Sequence, residues 1–207
     1  MSDNNTGATH LHRLVLFSDA VFAIAITLLA IEIHPPEHWN GVADLFRQMG
    51  HKLIAYAVSF GVIGIYWISH RRMFSRLARA NGVLDALNFL ILGLVALLPL
   101  GTELLWEQVG TQAFPVYLTH VALIGLSMAA LWAYAVFIGK LAQPIALPEA
   151  LFFLVRVALL PGLMCGLAFF SIYHPWGYAV IIALTLTLSS LTRWLERKYQ
   201  IHTPDGA

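Results

Sequence analysis

The chain has little charge and almost no cysteine. Only 11% of its 207 residues are Asp, Glu, Lys or Arg, whereas a soluble domain has roughly 25%. The single cysteine, Cys165, excludes an intramolecular disulfide and a cysteine metal cluster. The formal net charge is +1 and the basic residues lie at the ends of apolar runs, so we expect no nucleic-acid partner.

Motifs of enzymes and metal sites are also missing from the sequence. No histidine pair within an apolar run has the HxxxH or HExxH spacing of a metal site. No run carries Arg or Lys at every third position, as a voltage sensor does. The first run is too long for a signal peptide and carries Asp19. We therefore predict a protein that is not an enzyme, with no cofactor, no resident metal and no cleaved signal.

What the sequence has instead is six long apolar segments. A membrane-spanning helix needs about 20 mostly apolar residues, so we predict an all-α, multi-pass membrane protein with one domain over residues 1–207. The predicted tails are 1–12 and 195–207, and the connection at 36–52 is polar, with a short interfacial helix at 44–50. The predicted spans are 13–33, 53–74, 82–106, 114–139, 148–172 and 175–194.

The basic residues indicate an orientation, because loops rich in Lys and Arg stay in the cytoplasm. If both termini are cytoplasmic, most of the basic residues lie inside: Arg13, the arginines at 71–79, Lys140, Arg193, Arg197 and Lys198. Only Arg47 and Lys52 in the first outer loop break this pattern. The sequence therefore predicts a cell-membrane protein surrounded by lipid, with both termini cytoplasmic.

The first span is unusual because it combines polar residues with a regular apolar stripe. Polar groups inside a span face the bundle interior or a water-filled path. At about 100° per residue one face carries Ile24, Thr27, Leu28 and Ile31. This face lines a path or is ordinary packing surface, and the Thr27 hydroxyl has the option of bonding back to the helix.

Asp19 points about 140° away from Ile24 on such a helix, so it faces the other helices of its own chain. A buried carboxylate needs hydrogen-bond donors. Trp67 and His70 on the second span and Asn88 on the third can bond to this carboxylate or to the Ser18 hydroxyl. We predict a polar cluster around Ser18 and Asp19 that holds the helices together.

These residues resemble the transmembrane protein 175 family of potassium channels. The segment RLVLFSD, from Arg13 through Phe17 to Asp19, is similar to the family signature R-x-x-x-F-S-D. The segment YWISHRRMF at 66–74 and the third-span Asn88 and Pro99 also match. The resemblance is strong over 13–106 and rests mainly on helix count over 107–207.

The resemblance implies a homotetramer in which four first helices surround a pore for K⁺, with weaker Na⁺ passage and also H⁺. Ile24 would form the constriction, Leu28 and Ile31 would continue its apolar wall, and Thr27 would give the K⁺ preference. The sequence has no TVGYG filter, as in the family. The resemblance leaves Arg13 either at the cytoplasmic mouth or in the polar cluster.

The alternative function is a secondary transporter of a small ion or solute, since such proteins have broken helices near the membrane midplane. Pro99 and Pro161-Gly162 could break the third and fifth spans, and Arg156 could then bind an anion. The first span has no internal Gly or Pro, which argues against this function. The simpler interpretation is that Arg156 snorkels to the cytoplasmic side of the membrane or joins the polar contacts between helices there.

Overall fold

The computed structural model describes residues 2–107, 113–155 and 190, and everything it describes is helix or connection apart from one isolated β-bridge. The helices are α1 (Ser2–Ile31), α2 (Val42–Phe74), α3 (Gly82–Ala96), α4 (Leu98–Glu107), α5 (Ala113–Ala133) and α6 (Leu147–Leu154), and α5 continues into a π-helical segment, Tyr134–Ile138. The all-α prediction is confirmed for these residues.

Four helical segments are long and apolar enough to cross a membrane: Thr9–Ile31, Val42–Phe74, Gly82–Glu107 and Ala113–Ile138. They correspond to the first four predicted spans. The fifth predicted span, 148–172, begins in α6. The rest of it, Cys165, Arg156 and the sixth predicted span lie outside the described residues, except for Ser190, which is helical.

The second span starts earlier than predicted. Helix α2 begins directly after Gly41, whose φ of 84° only glycine adopts easily. Asp44 in its first turn accepts hydrogen bonds from the Asn40 amide and from Gln48 Nε2, both at 3.0 Å. The prediction of a separate interfacial helix at 44–50 was wrong, because its polar residues favour helix and nothing after Gly41 interrupts the backbone.

The third span is broken near its middle. Pro99 has no N–H and therefore cannot donate to the Val95 carbonyl as the helix requires. The Leu97 amide bonds to the Leu94 carbonyl at 3.3 Å, three residues back, and the Gly101 amide resumes the regular pattern to Leu97 at 3.2 Å. The span consequently consists of two helices, α3 and α4.

Two loops pair at one end of the bundle. Leu77 and Ala142 form an antiparallel bridge, flanked by Ala78 N to Leu141 O at 2.8 Å and Gln143 N to Arg76 O at 2.9 Å. The Arg76 guanidinium also pairs with the carboxylate of Glu149 at the start of α6. The arginine-rich loop after α2 therefore lies on the same side as the connection before α6.

The N-terminal part of α1 lies at this same end, where His10 Nε2 is 3.1 Å from Asp85 Oδ2 at the start of α3. From there α1 packs against α2, α3 and α4. Its inward face contributes a buried set to the core: Leu14, Ser18, Phe22, Ala25 and Leu29. The spacing of three to four residues is that of one helix face, and the opposite face of α1 is left without cover from the described residues.

Candidate functional site

The uncovered face of α1 coincides with the stripe found in the sequence. Ile24 is 58% exposed and Ile31 64% exposed, and Thr27 lies exposed between them. Leu28 is half-buried and stands at the edge of this face. The exposed positions between the large side chains are mostly small: Ala20, Ala23 and Ala30. A face of this kind allows a second helix backbone, lipid or water to approach closely.

Thr27 makes one local hydrogen bond, in which its Oγ1 donates to the Ile24 carbonyl at 2.8 Å. The acceptor is the carbonyl three residues back, so Thr27 does bond to its own helix. Because the hydroxyl proton points into the helix, the oxygen keeps its lone pairs for other partners. An exposed oxygen with free lone pairs can accept from water or contact a cation.

Asp19 is held by one of the three donors predicted for it. Trp67 Nε1 donates to Asp19 Oδ1 at 2.8 Å, which joins α1 to α2. The Arg71 guanidinium lies 5.2 Å from the centre of the Trp67 ring, on the same helix. A hydrogen bond to a carboxylate is stronger than one between neutral groups, so this contact fixes the rotation of α1 against α2.

The other two predicted donors bind the neighbouring serine and each other. Asn88 Nδ2 donates to Ser18 Oγ at 2.9 Å, and His70 Nε2 donates to Asn88 Oδ1 at 2.8 Å. Ser18, His70 and Asn88 are all fully buried, and Ser18 also donates to the Leu14 carbonyl at 2.8 Å. We call Ser18, Asp19, Trp67, His70 and Asn88 the motif network. It links α1, α2 and α3.

Two residues of the R-x-x-x-F-S-D segment lie outside these hydrogen bonds. Arg13 is exposed and contacts neither carboxylate nor amide of the motif network. The ring of Phe17, which is largely exposed, lies 5.6 Å from that of Phe89 in α3. Ser18 and Asp19 therefore hold the helices from within, while Arg13 and Phe17 belong to the outer surface of this single chain.

A second polar cluster was missed by sequence reasoning. Thr102 Oγ1 lies 2.7 Å from Ser59 Oγ, which lies 2.9 Å from Tyr117 Oη, and all three residues are buried. His120 Nε2 donates to the Leu94 carbonyl at 2.8 Å. We call Ser59, Thr102, Tyr117 and His120 the break network, because it surrounds the break between α3 and α4. Its hydroxyls are scattered through apolar segments, where single Ser, Thr and Tyr residues give little signal.

The helices and the two buried networks define a multi-pass helical membrane protein with one exposed, semi-polar helix face. A family model described as endosomal/lysosomal potassium channel TMEM175 matches residues 13–99. A potassium channel of Streptomyces collinus is 38% identical over 77% of this chain and 82% of its own length. A potassium channel of Chamaesiphon minutus is 32% identical over 86% of this chain and 94% of its own. The chain therefore belongs to the TMEM175 family.

A solved structure and an animal relative agree with this assignment. The crystal structure of a lysosomal potassium-selective channel TMEM175 homologue from Chamaesiphon minutus matches with a TM-score of 0.69 and 28% identity, covering 89% of this chain and 98% of that one. The endosomal/lysosomal proton channel TMEM175 of Danio rerio is 25% identical over 88% of this chain but only 42% of its own length.

Proposed function

We propose that this protein is a potassium-permeable cation channel that prefers K⁺ to Na⁺ and also passes protons. The observation that carries the proposal is the exposed Ile24–Thr27–Ile31 face of α1, on a membrane-capable helix whose rotation is held by the motif network. Relatives of nearly the same length are named potassium channels, and the animal ones proton channels. Channel relatives also argue against an enzyme and against the transporter alternative.

One copy of α1 cannot enclose a path, so the channel requires several chains. We assign a homotetramer in which each chain contributes one six-helix unit and one α1, over residues 1–207. The small exposed residues of α1 support a close approach of four helices. We assign both termini to the cytoplasm; in support, the N-terminal end of α1 shares its side of the bundle with the loop that carries Arg76 and Arg79.

Ile24 is assigned to the constriction, with Leu28 and Ile31 continuing the apolar wall. Four isoleucine side chains on an axis exclude water, and such an apolar ring blocks ions by dewetting. Thr27 is assigned to K⁺ preference because its oxygen is exposed with its proton turned into the helix. Four uncharged oxygens replace part of a hydration shell, which gives a moderate preference.

The test is flux through purified protein in liposomes, with mass measurement in detergent to count the chains. Thr27→Val keeps the shape and removes the oxygen, while Thr27→Ser keeps the oxygen and is the matched control. We expect Thr27→Val to conduct with a lower K⁺/Na⁺ permeability ratio, read from reversal potentials. A loss of about 1 kcal/mol of preference corresponds to about a five-fold fall in the ratio.

The constriction is tested with Ile24→Asn, with Ile24→Leu as the apolar control. The asparagine ring is wettable, so basal K⁺ flux should rise, whereas Ile24→Leu should stay near the parent. Unchanged flux in Ile24→Asn would move the constriction to Leu28 or Ile31. A conducting monomer would contradict the whole arrangement.

A further inference from the structure

The break between α3 and α4 lies beside the functional part of α1. Ser18 on α1 and Asn88 on α3 are joined by a hydrogen bond, and both helices run away from the arginine-rich end. Because each helix rises 1.5 Å per residue, Thr27 and Leu97 lie at about the same height, since both are nine residues further along. Both α3 and α4 pack against α1.

Helix α5 contacts the chain on the near side of this break. His120 Nε2 donates to the carbonyl of Leu94, the last full turn before the interruption, at 2.8 Å. Gly101, one turn beyond the break, faces this ring, because a Cβ at that position would lie 3.4 Å from His120 Nδ1, an ordinary contact distance. The imidazole therefore sits in the angle between α3 and α4 and touches both.

On the far side of the break, α5 is connected to α4 through a chain of hydroxyl groups that passes through Ser59 on α2. Thr102 Oγ1 lies 2.9 Å from the carbonyl of Leu98, the first residue of α4, and 2.7 Å from Ser59 Oγ on α2. Ser59 is in turn 2.9 Å from Tyr117 Oη on α5. Tyr117 and His120 are three residues apart and share one face of α5.

We propose that His120 is a positioning residue that fixes the angle of the α3–α4 break. It thereby holds the part of α1 that carries Ile24 and Thr27 in the arrangement that keeps the constriction closed. This inference rests on the proposed function, in which α1 lines the pore. When the His120 bond is lost, the side-chain hydrogen bonds that remain around the break are those of Thr102, Ser59 and Tyr117 on its far side. The packing of α3 and α4 against the part of α1 that carries Ile24 and Thr27 then becomes looser, and the ring of Ile24 side chains closes less completely.

The test compares His120→Phe, which keeps a ring without a donor, with His120→Gln, whose terminal amide supplies a donor where Nε2 stands. We expect His120→Phe to raise basal K⁺ flux about five-fold, the change given by about 1 kcal/mol of bias between closed and open forms. His120→Gln should restore most of the parent flux. Thr119→Val, at an exposed neighbouring hydroxyl, is the matched control and should behave as the parent.

A double variant distinguishes a specific effect of His120 on the constriction from a general loosening of the helix packing. In Ile24→Asn the ring is already wetted, so adding His120→Phe should raise flux no further, a non-additive result. Hydrogen exchange at 94–101 should also be faster in His120→Phe and near the parent rate in His120→Gln. Equal flux and exchange in the parent and His120→Phe, with Ile24→Asn still leaky, would overturn the role of His120 and leave the proposed channel intact. If neither the parent nor Ile24→Asn passes K⁺ in liposomes, the proposed function itself is contradicted.

Discussion

The two buried networks hold the same bundle with different chemistry. The motif network uses a carboxylate, an indole, an imidazole and an amide to join α1 to α2 and α3. The break network uses mainly hydroxyls to join α2, α4 and α5, with His120 bound to a backbone carbonyl. The first network fixes where α1 stands, and the second fixes an irregularity in the helix behind it.

This difference has an energetic consequence. Asn88 is central to the motif network, because it bonds on both sides and both partners are fully buried. Hydroxyls in the break network have local alternatives, as Thr102 does with the Leu98 carbonyl. A buried group left without a partner costs more than a group that can turn to a nearby carbonyl. The motif network should therefore be the more sensitive to substitution.

The largest effect is expected from Asn88→Leu, which removes both bonds at the centre of the motif network. It leaves His70 Nε2 buried without an acceptor, at a cost of about 1–3 kcal/mol, and Ser18 loses a donor as well. The thermal stability of the purified protein should fall clearly. Asn81→Ala is the comparison amide: Oδ1 of Asn81 caps the start of α3 by accepting from the Leu84 amide at 2.9 Å, and its Nδ2 donates to Tyr134 Oη at 3.0 Å, so we expect a loss of about 1 kcal/mol. If Asn81→Ala destabilises more than Asn88→Leu, the burial of the Asn88 bonds does not make them the costlier ones to lose.

Asp19→Ala should have the next largest effect, because Trp67 Nε1 is left without its acceptor. The cost is about 1–3 kcal/mol for a fully buried donor and less here, since Asp19 and Trp67 are only partly buried. Assembly and flux should weaken together. Asp19→Asn keeps an oxygen for the indole and should recover most of both. Normal assembly and conduction in Asp19→Ala would show that the carboxylate is dispensable.

Thr102→Val should have a smaller effect on stability and so test the contrast between the two networks. It removes one hydroxyl but keeps the side-chain shape, and Ser59 retains Tyr117 as a partner. We expect a loss of about 0.5–1.5 kcal/mol, the net value of one neutral hydrogen bond. Unfolding of the reconstituted protein by heat, compared with that of Thr119→Val, measures the difference. A loss as large as that of Asn88→Leu would make the two networks equal.

Arg13→Gln should change stability least. Arg13 belongs to the signature segment, yet it is exposed and lies apart from the motif network. Exposed substitutions away from special features are usually within about 0.5 kcal/mol. A stability equal to the parent in the same heating experiment is the expected outcome. A drop comparable to that of Asp19→Ala would place Arg13 among the structural residues.

Sequence reasoning found the strong polar groups and missed the weak ones. Asp19, Trp67, His70 and Asn88 stand out because such residues inside a span must find partners. The sequence left their exact pairing open: in the structure Asn88 binds Ser18 and His70 binds Asn88, while Trp67 binds Asp19. Which acceptor a donor reaches depends on helix rotation and height, and a single helix's periodicity does not contain that information.

The same limit explains the other differences between prediction and structure. Pro99 indicated a break. The hydrogen bonds around that break, such as the one from His120 on α5 to the Leu94 carbonyl, depend on packing between segments that are distant in the sequence. The start of α2 was placed too late because hydropathy marks the apolar part of a helix and not its polar first turns. Contacts between distant segments decide the bonding around the break. The start of α2 is decided by Gly41 and by the local hydrogen bonds of Asp44.

The pairing of Leu77 with Ala142 has a consequence for how the protein is synthesised. Arg76–Ala78 are translated long before their partners, so this loop has no bridge while the third and fourth spans are being inserted. Closure becomes possible only when Gln143 and then Glu149 leave the ribosome. The bridge therefore closes late in biogenesis: a nascent chain stopped before residue 140 should remain sensitive to protease at this loop, and one extended past Glu149 should become resistant.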